Sequence, residues 1–419
     1  MKISIVTLGC KTNQAESLSI EKALINSGHE IVEPSGTPDL YIINTCTVTS
    51  KADYRSRQLL NRALRKNSKI IVTGCYSELN PDTIKELDDS IVVVKNRDKS
   101  TIFNLIDSTG LDESKTLSLY PRHRPIIKVQ DGCNYSCSYC AIPKARGIST
   151  SVLLEDIINE IVSYESTGYG EVVLTGIHLG TYGLDMPRKK NLSLLLREIL
   201  KATSSIRVRL SSLEVREITE ELLDLISDKR ICSHLHIPLQ SGDDTILKLM
   251  NRHYTAADYR KGVENIAERF PDLAIGTDVI VGFPGEGEKE FTTTNNFIES
   301  LPFSYLHIFP YSVRPGTKAL SLPHRVPDSI KKDRVAILRE TGTSKHDLYI
   351  RNNLGRVLKT VIEHECNEGF IGTTDNYIKV LIKDMEFIHA GMLANIHLTE
   401  VSNGMAAGVP IKYLEPSNL

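Results

Sequence analysis

The stretch IIKVQDGCNYSCSYC, residues 126–140, decides the fold class and the chemistry of this chain. A short strand-like run is followed at once by Cys133, Cys137 and Cys140 in a C-x3-C-x2-C pattern. Thiolates are the usual ligands of iron–sulfur clusters, and this short spacing lets one loop surround a cluster. Three cysteines bind three irons of a [4Fe–4S] cluster and leave the fourth iron open. The pattern therefore predicts an iron–sulfur site with a free coordination position.

A structural zinc loop is the alternative for these cysteines. Zinc in such a loop requires a closed set of four ligands. No further cysteine or histidine stands at finger-like spacing, because the next cysteine in the chain is Cys232. The ligand count favours the open cluster.

The cysteine loop opens a region, residues 122–345, in which predicted strands and helices alternate. Six strands with helices between them are typical of repeated βα units. We therefore predict an α/β fold with a (β/α)6 partial TIM barrel whose chemistry lies at the carboxyl ends of the strands. The strands are predicted at 126–129, 171–175, 207–212, 234–239, 274–281 and 304–309.

The preceding region, residues 1–118, also alternates strands with helices and predicts a parallel-sheet domain of the Rossmann or flavodoxin type. Cys10, Cys46 and Cys75 each follow one of its strands within a few residues. Carboxyl ends of parallel strands share one edge, where ligands gather. The three thiols are thus predicted to converge and to hold a second cluster, although a single buried cysteine is usually a small hydrophobe.

The last region, residues 350–416, contains five short strand-like runs separated by Gly, Asn and Asp turns, which favours a small OB-like β-barrel. A polar, helix-like connector precedes it and carries Lys331, Lys332 and Arg334. These three residues are candidates for RNA contact. A solvated helix face explains such a basic run equally well.

Composition limits the classes of function. The 419 residues are enough for two or three domains, and the formal net charge is −2. That charge does not indicate a nucleic-acid binder, so any RNA site must be a local basic surface. No leader pattern and no apolar run of about 18 residues is visible. We expect a cytoplasmic protein without membrane contact, whose eight cysteines are ligands or buried thiols rather than disulfides.

The cysteine motif and the barrel pattern resemble the radical-SAM superfamily, and nearly the whole chain resembles its methylthiotransferase family. The stretches that carry the likeness are LGCKTNQ at 8–14, NTC at 44–46, CAIP at 140–143 with RG at 146–147, HIPLQSG at 236–242, DVIVGFPGE at 278–286, and YS at 311–312 with RPGT at 314–317. Lys144 and Ile148 depart from the family pattern near the cluster loop. The resemblance implies a TRAM domain at residues 350–416 and a tRNA substrate.

The resemblance also implies two [4Fe–4S] clusters and S-adenosylmethionine. The cluster on Cys133, Cys137 and Cys140 would generate a 5′-deoxyadenosyl radical, and the cluster on Cys10, Cys46 and Cys75 would hold the sulfur. One S-adenosylmethionine would methylate that sulfur and a second would activate the substrate carbon. A reductant protein and a sulfur donor are expected partners. The expected cofactor-binding residues are Tyr139, Gly176, Glu214, Gly282 and Phe283, for which loop packing, turn geometry or a surface charge is the alternative explanation.

Three branches of the family differ in their targets. They act on N6-threonylcarbamoyladenosine in tRNA, on isopentenyl-adenosine in tRNA, or on an aspartate of a ribosomal protein. The stretches 8–17, 175–183 and 209–214 look most like the threonylcarbamoyl branch. The resemblance thus implies that a methylthio group is inserted at C2 of that nucleoside, next to the anticodon.

Two interpretations that assign the chain to other classes of protein remain open at this point. A non-catalytic electron-transfer or cluster-carrier protein would share the cysteines without needing S-adenosylmethionine. An RNA-binding module would use its clusters only for structure. The barrel repeat and the open ligand set argue against the first of these.

Overall fold

A computed structural model describes residues 1–106, 123–383, 388–402 and 404–411. The predicted boundary at 118–122 and the predicted end at 416 lie outside the described residues. Within them, an N-terminal α/β sheet is followed by a set of six parallel strands with helices and then by a C-terminal barrel.

The N-terminal sheet is entirely parallel, with the strand order β2-β1-β3-β4-β5. Every residue of the central strand β3 is buried, as expected where helices cover both faces of a parallel sheet. The two-residue strand β2 was not predicted, because so short a run has no periodicity. The elements are β1 (Lys2–Thr7), α1 (Lys11–Asn26), β2 (Glu30–Ile31), β3 (Leu40–Thr45), α2 (Ser50–Leu64), β4 (Lys69–Gly74), α3 (Cys75–Leu79), α4 (Pro81–Leu87), β5 (Val92–Val93) and α5 (Ile102–Ile106).

The central region contains the six predicted strands in the order of the chain. They form two three-stranded parallel sheets, and a parallel bridge between Val208 and Ile231 joins the sheets. The elements are β6 (Ile126–Lys128), β7 (Gln130–Asp131), α6 (Ile142–Arg146), β8 (Thr150–Ser151), α7 (Leu154–Ser166), β9 (Glu171–Thr175), α8 (Leu192–Ala202), β10 (Arg207–Leu210), α9 (Glu220–Ile226), β11 (His234–His236), α10 (Asp244–Leu249), α11 (Ala256–Arg269), β12 (Ala274–Val281), α12 (Glu288–Ser300) and β13 (Tyr305–Pro310).

Helix α8 shows why these segments form helices that cover the sheet. The Asn191 side chain accepts a hydrogen bond from the Leu194 amide and so caps the first turn. Leu195, Leu196 and Ile199 recur at helical spacing and are fully buried against the strands. Each such side chain contributes about 1.5–3 kcal/mol by leaving water. Packing of this face fixes the strand ends that carry the site.

The C-terminal region is a closed barrel with the strand order β14-β15-β16-β18-β17, in which β16 and β18 are parallel and the other pairs antiparallel. The predicted α/β fold with parallel sheets and a C-terminal β region is thus confirmed. The elements are α13 (Asp328–Arg351), β14 (Val357–Cys366), β15 (Gly369–Thr374), β16 (Lys379–Ile382), β17 (Leu393–Ser402) and β18 (Met405–Pro410).

A buried charge cluster attaches this barrel to the central strands. Glu171 is fully buried and pairs with Arg207 and Arg209. Burial raises the pKa of Glu171, but the two guanidinium groups outweigh burial and hold that pKa below its usual range. The same arginines donate to backbone carbonyls of the barrel, Arg207 to Lys359 at 2.6 Å and Arg209 to Thr374 at 2.8 Å. Strand ends and barrel are therefore held in one arrangement.

Candidate active site

The cluster loop lies between β7 and α6 and carries three thiols whose surroundings differ. The Sγ of Cys133 lies 3.5 Å from Nδ1 of His178, and the Sγ of Cys137 accepts a hydrogen bond from Arg252 at 3.5 Å. Burial raises the pKa of Cys140 to about 12. A metal must therefore displace a proton there, since the thiolate is the ligand form.

The second trio lies at the carboxyl ends of β1, β3 and β4. Cys10 is exposed at the start of α1, whereas Cys46 and Cys75 are buried. Asn13 ties the loops together, because its side-chain amide donates to the carbonyls of Leu8 at 2.7 Å and Thr45 at 2.9 Å. Three cysteines from distant parts of the chain thus share one sheet edge.

Gly9 is required for this convergence. A Cβ at Gly9 would lie 2.8 Å from both Cβ and Sγ of Cys46, and Gly9 has a φ of +104°. A larger residue would collide with Cys46 and would adopt a strained backbone. The loop before Cys10 therefore approaches Cys46 only because residue 9 has no side chain.

The spacing of the thiols bears on the choice between zinc and cluster. Tetrahedral zinc–thiolate bonds of about 2.3 Å place the sulfurs about 3.8 Å apart. In the part of the chain that the structure describes, only His236, Asp278 and His307 bring three ligand atoms within 4.8 Å of one another. Neither cysteine trio is that compact. An all-thiol donor set fits an iron–sulfur cluster.

Two adjoining cavities connect the trios. The larger, of about 800 Å³, is lined by Cys10 and Cys46 from the N-terminal sheet and by Gly176 and Asp278 from the central strands. The smaller, of about 210 Å³, is lined by Cys140 and Tyr139. Both share the side chains of Val48, Thr49, Ile142, Asp278 and Phe309. A substrate in this space would lie between Cys10 and Cys46 of one trio and Cys140 of the other.

Arg146 links the two sets of loops and was not predicted as a functional residue. It belongs to α6, directly after the cluster loop, yet its Nε donates to the Sγ of Cys75 at 3.2 Å. Its remaining nitrogens contact Glu16, Asp131 and Asn13. The Arg146 side chain is 0% exposed, and carboxylates from both domains bind its guanidinium group. The Arg146-Gly147 pair belongs to the family likeness, but the sequence could not show this linking role because the partners of Arg146 are distant in the chain.

The predicted cofactor residues fall into two groups. Gly176 lines the larger cavity and Tyr139 the smaller. The carboxylate of Glu214 pairs with Arg252, and Arg252 contacts the Sγ of Cys137. Glu214 therefore supports the cluster loop through Arg252. It remains a predicted cofactor residue.

Gly282 and Phe283 are placed by packing. A Cβ at Gly282 would lie 2.3 Å from Cγ of Lys331, and φ there is +72°. Phe283 has no exposed surface and packs edge-on against Tyr139 and Tyr311, with ring centroids 6.4 and 5.2 Å apart. Phe283 remains a predicted cofactor-binding residue, and its packing positions the ring of Tyr139.

The three predicted RNA residues also differ. Arg334 is buried and pairs with Glu286, to whose carboxylate it donates at 2.7 Å. The prediction that Arg334 contacts RNA is therefore wrong, because its charge is already neutralised inside the protein. Lys331 lies over the Tyr311 ring, 5.7 Å from its centroid, whereas Lys332 is exposed.

A histidine–tyrosine network at the floor of the larger cavity was also missed. Asp278 contacts Nε2 of His236 at 2.9 Å and Nδ1 of His307 at 3.2 Å. The Tyr305 hydroxyl lies 3.0 Å from Nδ1 of His236 and 2.8 Å from Nε2 of His234. The H-x-H spacing in β11 could have indicated the pair, because alternate strand residues share a face.

The described residues contain no helix with the length and apolar character needed to cross a membrane.

Two family models match this chain. The radical SAM superfamily matches residues 127–298, and an uncharacterized protein family, UPF0004, matches residues 2–95. The first includes the loop of Cys133, Cys137 and Cys140, and the second includes Cys10, Cys46 and Cys75. Each cysteine trio therefore lies in its own family match.

Curated relatives match along almost the whole chain. A threonylcarbamoyladenosine tRNA methylthiotransferase of Aquifex aeolicus is 40% identical over 91% of this chain and 96% of its own length. Its Bacillus subtilis counterpart is 38% identical over 92% and 91%. A tRNA-2-methylthio-N(6)-dimethylallyladenosine synthase of Fusobacterium nucleatum is 34% identical over 95% and 97%.

A solved structure resembles the chain in fold. The radical S-adenosylmethionine methyltransferase TsrM of Kitasatospora setae, with cobalamin and a [4Fe–4S] cluster bound, matches with a TM-score of 0.55 at 15% identity. The match covers 76% of this chain and 77% of TsrM. At this identity the likeness concerns the fold alone.

Proposed function

The chain belongs to the radical-SAM methylthiotransferase family, and from that premise we propose that it inserts a methylthio group at C2 of N6-threonylcarbamoyladenosine next to the anticodon of tRNA. The observation that carries the proposal is the pair of adjoining cavities, one lined by Cys10 and Cys46 and the other by Cys140. Methylthio transfer needs a sulfur site and a radical site that both reach one carbon. The shared walls of these cavities provide that arrangement.

The cofactors are two [4Fe–4S] clusters, on Cys10, Cys46 and Cys75 and on Cys133, Cys137 and Cys140, together with S-adenosylmethionine. When bound, they supply the sulfur, the methyl group and the radical that removes hydrogen from the substrate carbon. The residues of the chain exclude water and hold the two cluster loops at a fixed separation. Tyr139 at the smaller cavity, Gly176 at the larger cavity and Glu214 beside Arg252 are the residues that would hold S-adenosylmethionine.

The proposed domains are a cluster domain at 1–118, a partial TIM barrel at 122–345 and a TRAM-like OB barrel at 350–416. The closed five-stranded barrel and its attachment through Arg207 and Arg209 support an RNA-facing third domain. A cytoplasmic location, a reductant protein and a sulfur donor complete the proposal.

The test uses protein purified without oxygen and reconstituted with iron and sulfide. Wild type is expected to convert tRNA carrying N6-threonylcarbamoyladenosine to its 2-methylthio form, measured by mass spectrometry of digested nucleosides. Cys10→Ala should lose this product while 5′-deoxyadenosine still forms. If product forms only from tRNA that carries isopentenyl-adenosine, the chain belongs to the branch of the Fusobacterium relative. If product forms only on a ribosomal-protein aspartate, a tRNA substrate is rejected.

Contact with tRNA is proposed for Lys332, with a smaller contribution from Lys331. Lys332→Ala should weaken tRNA binding several-fold and lower the salt dependence by about one phosphate contact. Arg334→Ala provides the matched comparison, because its buried pair with Glu286 predicts lost stability instead. Unchanged tRNA affinity of Lys332→Ala at every salt concentration would remove this residue from the interface.

A further inference from the structure

A third cavity, of about 350 Å³, lies beside the larger active-site cavity. It is bounded by the N-terminal domain, the central strands and the C-terminal barrel, and it shares Lys11, Gln14 and Tyr377 with the larger cavity. A group that extends from a substrate in the larger cavity can therefore enter the third cavity past these three side chains. Neither the sequence motifs nor the proposed chemistry accounts for this space.

The wall of this cavity is basic. Arg124 contributes to it from the segment before β6, and Arg209 from β10. The acidic groups nearby already have partners. Glu171 is bound by Arg207 and Arg209, and Glu363 by Arg124 and Lys379. The carboxylates near this cavity are therefore already paired with arginines and with Lys379.

Lys11 differs from these paired residues. Lys11 lines both cavities, and its side chain forms no hydrogen bond or ion pair with any residue in the described part of the chain. A cation placed beside two arginines and away from bulk water is costly unless an anion joins it. The arrangement therefore calls for an anionic ligand.

The position of Lys11 relative to the sulfur site is set by the chain itself. Lys11 directly follows Cys10, so their Cα atoms are about 3.8 Å apart. In adenine, C2 and C6 are both bonded to N1, so a substituent on N6 begins close to the carbon that receives sulfur. A cation next to the sulfur-holding cysteine is thus within reach of a charged group on N6.

We propose that this third cavity is the subsite for a carboxylate-bearing N6 substituent of the substrate adenosine, and that Lys11 binds the carboxylate. The inference rests on the proposed function and adds the residue that selects the substrate class. An isopentenyl group offers no charge and would have to displace water from Lys11 and Arg124 without replacing its hydrogen bonds. The cavity thus favours the threonylcarbamoyl group through charge.

Tyr377 makes the C-terminal barrel part of this subsite. It lies in the turn between β15 and β16 with a φ of +69°, a conformation that a non-glycine residue adopts at an energetic cost. Its ring stacks on His234, with centroids 4.2 Å apart, and receives the guanidinium of Arg209 at 5.4 Å. These contacts hold the ring between the two cavities, where it forms the wall that a bound substituent must pass.

The test compares two anticodon stem–loops that bind to reconstituted holoenzyme without oxygen. One carries N6-threonylcarbamoyladenosine, and the other carries the same group with its carboxylate converted to a carboxamide. Fluorescence anisotropy of labelled RNA measures the dissociation constants. Wild type should prefer the carboxylate by about 10- to 100-fold, the range expected for one charge-assisted hydrogen bond.

Lys11→Met should abolish this preference, and Lys11→Arg should restore most of it. Lys51→Met is the matched control, because Lys51 is an exposed lysine of the larger cavity and should retain the preference. Iron content is measured for each variant, since Lys11 adjoins a proposed cluster ligand. A Lys11→Met variant that keeps about eight irons and still prefers the carboxylate overturns the assignment. Equal weakening of both stem–loops also overturns it, because the bound anion would then be a phosphate.

The subsite and the proposed function can fail separately. Preference for the carboxylate without any methylthio product would support the subsite and reject the activity. Methylthio product from both stem–loops at equal kcat/KM would support the activity and reject the subsite.

Discussion

The two cysteine trios, for which we propose the same kind of ligand, are built over different ranges of the chain. Cys133, Cys137 and Cys140 lie on one loop, so the local sequence sets their spacing. Cys10, Cys46 and Cys75 lie at the ends of three strands and meet only because β1, β3 and β4 are parallel neighbours. The first trio depends on a loop, and the second depends on a folded sheet.

The largest expected effect separates the two trios by their chemistry. Cys137→Ala should remove the radical-forming cluster and abolish 5′-deoxyadenosine formation. Cys75→Ala should remove the other cluster and abolish the methylthio product while 5′-deoxyadenosine remains. Iron analysis should fall from about eight to about four in each variant. Loss of both clusters from Cys75→Ala would show that the trios are not independent.

The next prediction concerns Arg146, the residue that joins the trios. Arg146→Met leaves Glu16 and Asp131 with fewer cationic partners in a buried setting, although Lys128 contacts both. We expect a loss of about 3 kcal/mol in the free energy of unfolding, measured by urea denaturation. Arg97→Met is the control, because the exposed Arg97–Asp98 pair contributes about 0–1 kcal/mol. Equal stability of the two variants would contradict a joining role.

A third prediction sharpens the comparison at a single backbone position. Gly9→Ala introduces a Cβ 2.8 Å from the Sγ of Cys46 and should lower N-terminal iron occupancy, with the cluster of Cys133 retained. Gly168→Ala is the control, since Gly168 also has a positive φ, +87°, but open space around it. Both variants should lose about 1 kcal/mol of stability from backbone strain. Full iron occupancy in Gly9→Ala would mean that the loops adjust.

The smallest expected effect concerns the arginine beside the radical-forming cluster. Arg252→Met removes a positive charge and a hydrogen bond from the Sγ of Cys137, and both stabilise the reduced cluster. The reduction potential should become more negative by about 60 mV, a tenfold change for one electron. Arg252→Lys keeps the charge and should shift less. An unchanged potential in a redox titration followed by electron paramagnetic resonance would exclude Arg252 from tuning the cluster.

Much of the molecule follows from the sequence alone. The alternation of strand-like and helix-like segments located all six central strands, because their repeat matches that of βα units. The C-x3-C-x2-C loop identified the radical-SAM chemistry, since ligand type and spacing are local properties. The family resemblance, now confirmed by relatives that match along the whole chain, indicated the methylthio reaction.

What the sequence could not supply are contacts between residues far apart in the chain. The sequence indicated that Arg334 is a surface cation. In the structure Arg334 is buried and paired with Glu286, which lies 48 positions earlier in the chain. The local motifs that contain Arg146 and His236 did not reveal their distant partners, and nothing local marked Lys11 as a lone cation. Side-chain charge and ligand type are written in the sequence, and they determined which chemistry this protein performs. Which side chains are buried, and which ion pairs they form, is set only when strands pair and domains dock. The tertiary structure alone therefore decided which charged side chains form stabilising ion pairs and which remain available to a ligand.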